Sequence, residues 1–291
     1  VGGGGLCGLE WLSPFVFEQP FIQTNQQFPI MSKPLILICN DDGIHAPGIR
    51  ALVEAVSDLG DLVVVAPDRP QSGMGHAITI GFPLRVQAQE GLFGAEIPAY
   101  QTSGTPVDCV KLAVDRIMHR KPDLLLSGIN HGSNASINVI YSGTMSAAVE
   151  GAIEGIPSVG FSLCDYALEA DFGLAAQVAR RVAEQVLSHG LMPGSLLNVN
   201  IPKVDIRQFK GLKVGRQAAA KWKENFEERT DPHNKKYYWM TGEFELMEHG
   251  EDTDEWALRN GYASVVPVQF DLTAHHALAG LQAWGMQDWV F

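Results

Sequence analysis

The sequence predicts an α/β protein with a mostly parallel sheet flanked by helices. Three observations favour this class. Short apolar runs such as "PLILICN", "LVVVAP" and "LLLSGIN" are nearly continuous, which is typical of strands covered on both faces. Segments with helical spacing alternate with these runs, as in βαβ units with right-handed crossovers. The 291 residues, 46% of them hydrophobic and 19% charged, are enough to bury a large core.

The first half of the chain has a separate signal for each element. "PLILICN" is the first strand, and apolar residues at 49, 52, 53, 56 and 59 then follow helix spacing, with Pro47 near the start and Gly60 at the end. "LVVVAP" is the second strand, and a long loop leads to a strand or hairpin near "PLRVQAQ". "AYQT" then leads through Thr105 and Pro106 to a predicted helix over about 107–119.

The second half continues the alternation. "PDLLLSGIN" and "IPSVGFSL" are predicted strands, "GTMSAAVEGAIEG" and "DFGLAAQVARRVAEQVLSHG" are predicted helices, and the strand "SLLNVNIP" closes the series. Ligands of such sheets bind at the carboxyl ends of the strands. We therefore expect Asp41, Asp42 and the loops after "VVVAP" and "LLLSG" to lie at one edge.

The ends of the chain and the stretch after residue 210 have a different composition. Residues 1–30 contain no Lys or Arg, so they lack the basic start of a targeting peptide, and glutamates and prolines interrupt their apolar residues. We expect a poorly ordered leader before Met31, the alternative being an arm docked on the fold. We expect one domain over 31–275, with its α/β core over about 31–210, and a C-terminal tail over 276–291.

Residues of about 211–265 are charged and aromatic, with few continuous apolar runs. They predict an extended arm or hairpin that completes its burial against a partner chain. Its candidate interface anchors are Tyr237, Tyr238, Trp239 and Phe244. The alternative is an ordinary surface hairpin that packs on its own core.

Composition limits the possible partners. The formal net charge is −12 and Lys or Arg blocks are absent, which disfavours binding to nucleic-acid polymers or anionic membranes. No apolar run reaches the roughly 18 residues of a membrane span. The four cysteines lack CxxC spacing, which favours buried free thiols and a reducing, cytoplasmic compartment.

Three segments carry candidate chemistry. Asp41 and Asp42 follow the first strand, where two carboxylates favour a hard divalent cation, although a helix cap is equally consistent. Ser72, in a glycine-flanked turn, and Asn130, at the end of a strand, are neutral oxygen donors. The residues 142–144, "SGT", open a helix whose N-terminus suits a phosphate, a simple cap being the alternative. His76 is either a catalytic residue or a packing residue.

Other catalytic motifs are missing. The sequence has no G-x-S-x-G nucleophile elbow, and no G-x-G-x-x-G follows the first strand. A nicotinamide-dependent oxidoreductase therefore lacks its main sequence support.

Four segments occur in one order: "NDDGIHAPGIRAL", "VVVAPDRPQSGMGHAIT", "TSGTPVDCVKLA" and "PDLLLSGINHGSNASINVIYSGTMSAAVEG". This set closely resembles the SurE family, from about Leu35 to residue 273. The resemblance implies a Rossmann-like core with a protruding β-hairpin arm for dimer or tetramer assembly. It also implies hydrolysis of nucleoside 5′-monophosphates, with some members acting on 3′-nucleotides or short polyphosphate. The loop "INHGSNAS" differs from the "INAGPNLG" of many members, which leaves the base preference open.

The resemblance further implies one divalent cation per subunit, Mg²⁺ or Mn²⁺, bound by Asp41, Asp42, Ser72 and Asn130. Asp41 or Asp42 would take the proton of the attacking water. The phosphate would be held by Asn130, Ser142, Gly143 and Thr144. The alternative function is a nucleotide-binding regulatory protein without catalytic activity.

Overall fold

The computed structural model describes residues 33–167 and 169–289, so the predicted leader over 1–30 lies outside the described residues. The strands in this part of the chain are β1 Leu35–Cys39, β2 Asp61–Pro67, β3 Val86–Ala88, β4 Ala99–Thr102, β5 Leu124–His131, β6 Ser158–Leu163, β7 Ser195–Ile201, β8 Leu212–Val214, β9 Ala220–Thr230, β10 Lys236–Leu246 and β11 Ala263–Gln269. The α-helices are α1 Pro47–Val56, α2 Pro106–Leu112, α3 Gly143–Ile153, α4 Gly173–His189, α5 Asp254–Arg259 and α6 Leu278–Gln282.

Nine of these strands form one sheet in the order β3-β4-β2-β1-β5-β6-β7-β11-β8. The strands from β4 to β7 in this order are parallel to one another. At one edge β3 is antiparallel to β4, and at the other β11 is antiparallel to β7 and parallel to β8. The sheet is therefore mixed but mostly parallel, and the predicted α/β class is confirmed.

Two hydrophobic clusters cover the two faces of the sheet. Ile36 and Ile38 of β1 belong to the cluster beneath α1 and α4, whereas Leu35, Leu37 and Cys39 belong to the cluster beneath α2 and α3. This division follows from the strand period of two, which points alternate side chains to opposite faces. Because both faces are covered, all five residues of β1 are buried. Each fully buried aliphatic side chain contributes about 1.5–3 kcal/mol relative to its exposed state.

The structure differs from the sequence predictions in three places. The predicted helix over 107–119 is α2 followed by a π-helical turn over 113–117. The predicted series of strands ends with β7, whereas the sheet continues beyond it with β11, which is antiparallel to β7. The predicted arm range of 211–265 includes β8 and β11, which belong to the main sheet. For β11 the reason is burial, because residues 263–266 are all buried in the core of the sheet.

The hairpin of β9 and β10 forms a separate two-stranded sheet, paired from Ala220 with Leu246 to Thr230 with Lys236. Ten of the eleven residues of β9 are exposed, so the hairpin does not build a core of its own within the described chain. Its turn is closed by Asp231, whose carboxylate accepts hydrogen bonds from the backbone N–H groups of His233 and Lys235, each 2.8 Å long.

Candidate active site

Loops from three strand ends line one cavity of about 210 Å³ at the carboxyl edge of the sheet. The loop after β1 contributes Asp41 and Asp42, the loop after β2 contributes Ser72, and β5 contributes Asn130. The structure thus brings all four predicted metal ligands to one place. The other lining residues are Gly73, His131, Ser133, Asn134, Asn138, Tyr141, Ser142, Tyr166 and Trp222.

A tight turn places the carboxylates at the mouth of β1. Gly43 has a φ of +97°, and its backbone oxygen accepts a hydrogen bond of 2.9 Å from the side-chain amide of Asn40. A Cβ atom at Gly43 would lie 3.3 Å from the backbone carbon of Arg69, so the turn also lies close to the loop after β2. The backbone N–H of Gln71 donates to the backbone oxygen of Asp41 over 2.8 Å. These contacts hold the loops of Asp41 and Ser72 together.

The N-terminus of α3 packs directly on Asp41. The hydroxyl of Thr144 donates a hydrogen bond to Oδ1 of Asp41, and Thr144 is fully buried. A Cβ atom at Gly143 would lie 2.7 Å from Cβ of Asp41, so only glycine permits this approach. The hydroxyl of Ser142 caps the helix by accepting from the backbone N–H of Met145 at 3.0 Å. Of the predicted phosphate-binding residues, Ser142 and Asn130 line the cavity, whereas Gly143 and Thr144 lie behind Asp41.

Among the described residues, neither Lys nor Arg neutralises the two carboxylates in this cavity, and the charge of His131 lowers the pKa of Asp42 too little to offset burial. Burial, with a smaller contribution from the charge of Asp42, raises the pKa of Asp41 to about 6 despite the hydrogen bond from Thr144. Burial also raises the pKa of Asp42, although the backbone N–H of His131 donates to its Oδ2 over 3.1 Å. No Lys or Arg is among the lining residues in the described part of the chain. A bound cation would supply the missing positive charge.

The donor set fits a hard divalent cation. Within 33–167 and 169–289, no three His, Cys, Asp or Glu side chains form a metal-binding group, so any set here combines the two carboxylates with neutral oxygens. The side-chain nitrogen of Asn130 donates to the backbone oxygen of Gly132 over 2.8 Å, which leaves the amide oxygen as the coordinating atom. Two carboxylates, an amide oxygen and the hydroxyl of Ser72 are ligands that Mg²⁺ and Mn²⁺ accept.

The buried carboxylate of Glu150 in α3 holds the loop that contains Ser72, because it contacts His76 of that loop. Oε2 of Glu150 lies 3.0 Å from Nε2 of His76, and its Oε1 accepts a hydrogen bond from Lys111. Burial alone would raise the pKa of Glu150, but the hydrogen bonds from His76 and Lys111 leave it lowered. His76 does not line the cavity and contacts the helix α3 instead. Sequence reasoning missed Glu150, whose signal is a carboxylate in the apolar run "SAAVEGA".

Buried polar side chains also support the loop after β5. Asn200 of β7 accepts a hydrogen bond of 2.8 Å from the backbone N–H of Asn134, and the amide of Asn198 donates to the backbone oxygen of Asn134 over 2.9 Å. Asp254, at the start of α5, accepts from the backbone N–H of Ser136 over 2.7 Å. Sequence reasoning missed these positions, although polar residues in the buried strand "LLNVNI" are a visible signal.

The base of the hairpin reaches the site. The second carboxylate oxygen of Asp254 accepts from the backbone N–H of Ala218 over 2.9 Å. Nε1 of Trp222 donates a hydrogen bond of 2.8 Å to the side-chain oxygen of Asn138. Trp222, the third residue of β9, also lines the cavity, so the hairpin contributes one residue to its wall.

A Rossmann-like α/β sheet with oxygen donors gathered at the carboxyl ends of its strands defines the class of protein: an α/β protein with a polar, acidic cavity. The chain belongs to the SurE family, because the family model "Survival protein SurE" matches residues 36–224. The family predicted from the sequence motifs is thereby confirmed.

Relatives and one solved structure agree with this assignment. The "5′-nucleotidase SurE" of Cytophaga hutchinsonii is 58% identical over 262 residues, which is 90% of this chain and 99% of the relative. The "5′-nucleotidase SurE" of Chlorobium chlorochromatii is 47% identical over 257 residues, 87% of this chain and 92% of the relative. The crystal structure of the SurE protein from Aquifex aeolicus matches with a TM-score of 0.75 and 41% identity, covering 87% of this chain and all of that one.

Proposed function

We propose that this protein is a metal-dependent 5′-nucleotidase that hydrolyses nucleoside 5′-monophosphates to nucleoside and phosphate. Secondary substrates would be 3′-nucleotides and short polyphosphate. Relatives named 5′-nucleotidase SurE, at up to 59% identity over most of the chain, support the activity. The observation that carries the proposal is the meeting of Asp41, Asp42, Ser72 and Asn130 in one cavity whose described lining residues include no Lys or Arg.

These four residues would hold one divalent cation per subunit, Mg²⁺ or Mn²⁺. When bound, such a cation offsets the charge of a phosphate ester and lowers the pKa of water at the site. It would also neutralise the carboxylate pair, whose pKa values are raised in its absence.

The chain's own groups have separate tasks in this scheme. Asp41 or Asp42 accepts the proton of the attacking water. Asn130 and Ser142 face the cavity and orient the phosphate, and the N-terminus of α3 adds the positive end of its dipole. Thr144 takes part by holding Asp41 through its hydroxyl. Gly143 permits the contact, since any side chain there would push against Asp41.

Metal removal tests the proposal directly. We expect EDTA to reduce phosphate release from AMP to the uncatalysed background, and added Mn²⁺ or Mg²⁺ to restore it, because the cation supplies several kcal/mol of charge stabilisation. The measurement is steady-state phosphate release across a metal titration. Full activity in EDTA would contradict the metal requirement. AMP binding in calorimetry without any turnover would favour the regulatory alternative.

We also propose that the protein assembles into a homodimer or homotetramer through the hairpin of β9 and β10. Aromatic side chains there are exposed in the single chain, with Tyr238 at 56% and Trp239 at 57% exposure. Exposed aromatic clusters are typical of the cores of protein interfaces. A cytoplasmic location fits the cysteines, because Cys39, Cys109 and Cys164 are free thiols.

Truncation of the hairpin tests the assembly. Replacing residues 224–242 by a short Gly-Ser turn is expected to lower the mass measured by light scattering to that of a smaller assembly, since the exposed aromatic residues would be lost. Far-UV circular dichroism should retain the signal of the helices, because the deleted residues lie outside the main sheet. An unchanged mass would refute the role of the hairpin.

A further inference from the structure

A second cleft of about 400 Å³ opens beside the candidate active site. Its lining residues are Tyr141, Trp222, Glu224, Met240, Thr241 and Gly242. Tyr141 and Trp222 line both this cleft and the cavity of the carboxylates, so the two spaces share a wall. The cleft therefore lies where the remainder of a bound substrate would extend from its phosphate.

The shared wall is held in place. The indole N–H of Trp222 donates to Asn138, and the ring of Phe244 packs edge-on against the indole at a centroid distance of 5.6 Å. The backbone oxygen of Tyr141 accepts a hydrogen bond of 3.2 Å from the N–H of Gly75. Trp222 is nevertheless 38% exposed and Tyr141 50% exposed. Both rings thus present accessible surface from supported positions.

The hairpin side of the cleft is shaped by a glycine. A Cβ atom at Gly242 would lie 2.9 Å from the backbone oxygen of Lys223, so this position of β10 lacks room for a side chain. Glycine in a strand often marks a place where a ligand approaches the backbone closely. Met240, on the same face of β10, adds a polarisable apolar surface.

The negative charge at the cleft disfavours binding of an anionic group. Within residues 33–167 and 169–289, neither the cleft nor the neighbouring cavity has a lining Lys or Arg, and Glu224 places a carboxylate at the cleft. A second phosphate group would therefore be repelled there. A flat, neutral aromatic ring instead gains stacking on Trp222 and Tyr141, which is how proteins bind nucleobases.

We infer that this cleft binds the nucleobase of the substrate against Trp222 and Tyr141 while the phosphate lies in the neighbouring cavity. The inference rests on the proposed function and adds a specificity site to it. The hairpin is thus both a candidate assembly element and part of the substrate pocket of its own chain.

The test compares AMP with ribose 5-phosphate, which has the same phosphate ester but no base. We expect the wild-type protein to prefer AMP in kcat/KM. Trp222→Ala should lower the ratio of the two kcat/KM values by about 10- to 100-fold, since stacking contributes at this level. Trp222→Phe should restore part of the ratio because it retains an aromatic face. Trp239→Ala removes an equally large ring from the opposite face of the hairpin and should leave the ratio unchanged.

The outcomes of this comparison distinguish failure of the proposed function from failure of the base cleft. A wild-type protein that hydrolyses neither compound refutes the proposed function itself. Equal activity on both compounds refutes only the base cleft. The cleft is also refuted if Trp222→Ala lowers both activities by the same factor, or if only the light-scattering mass changes, since Trp222 would then be structural or part of an interface between copies.

Discussion

Replacing Asp41 by asparagine is expected to lower kcat/KM for AMP by at least about 10³-fold, because a ligand of the proposed cation contributes several kcal/mol to stabilisation of the transition state. Asp42→Asn should have an effect of similar size, since Asp42 lies in the same cavity. The measurement is phosphate release at saturating Mn²⁺. The matched control is Asp115→Asn, at an exposed carboxylate that pairs with Arg116 and does not line the cavity, and it should retain wild-type activity.

The same substitution should make the metal-free protein more stable. The folded protein holds the pKa of Asp41 at about 6, above the ordinary value of 3.8. Between these two values the folded state binds more protons than the unfolded state, so stability decreases as the pH rises through this window. Asparagine removes that loss, and we expect a gain of about 2–3 kcal/mol in the free energy of unfolding at pH 7.

Urea unfolding in EDTA at pH 4, 5 and 7 checks this expectation. The difference between Asp41→Asn and the wild-type protein should be largest at pH 7 and should vanish near pH 4, where the wild-type carboxyl is protonated in the folded state. Added Mn²⁺ should stabilise the wild-type protein but not the variant, because ligand binding to the folded state adds to its stability. A variant less stable than the wild type at pH 7 in EDTA would contradict the charge argument.

Gly143→Ala is expected to lower kcat/KM by about 100-fold, although the substitution introduces only one methyl group. The added Cβ would lie 2.7 Å from Cβ and 2.9 Å from Oδ2 of Asp41, so the carboxylate or the helix must move. A displacement of about 1 Å at a reacting group is sufficient for an effect of this size. The measurement is again kcat/KM for AMP, with a metal titration to detect weaker cation binding.

Gly280→Ala is the matched control for this variant. Gly280 is also a helical glycine, in α6, but nothing lies within 4 Å of an added Cβ there. This control should keep full activity and should gain slightly in stability from the better helix propensity of alanine. Wild-type activity in Gly143→Ala would show that the close packing of α3 on Asp41 has no catalytic importance.

The sequence allowed the central elements to be predicted because their signals are local. The continuous apolar run of β1 predicts a strand that is buried on both faces, and the spacing of the apolar residues in α1 predicts which face of the helix is buried. The strand β11 was harder to place, since its antiparallel pairing with β7 depends on residues more than sixty positions away. The end of the hairpin depends on the same pairing, so the predicted arm range of 211–265 is broader than β9 and β10.

Within the candidate site, the sequence by itself determined which residues could donate oxygen atoms to a cation. It also determined that these residues follow the ends of strands. Parallel strands bring such ends to one edge, so the sequence alone groups Asp41, Asp42, Ser72 and Asn130. Only the tertiary structure decided that Thr144 bonds to Asp41, that Glu150 fastens His76, and that Trp222 of the hairpin forms a wall of the cavity. The physical reason is that a strand or helix is encoded by neighbouring residues, whereas these contacts join residues about 70 to 180 positions apart through packing of the whole chain.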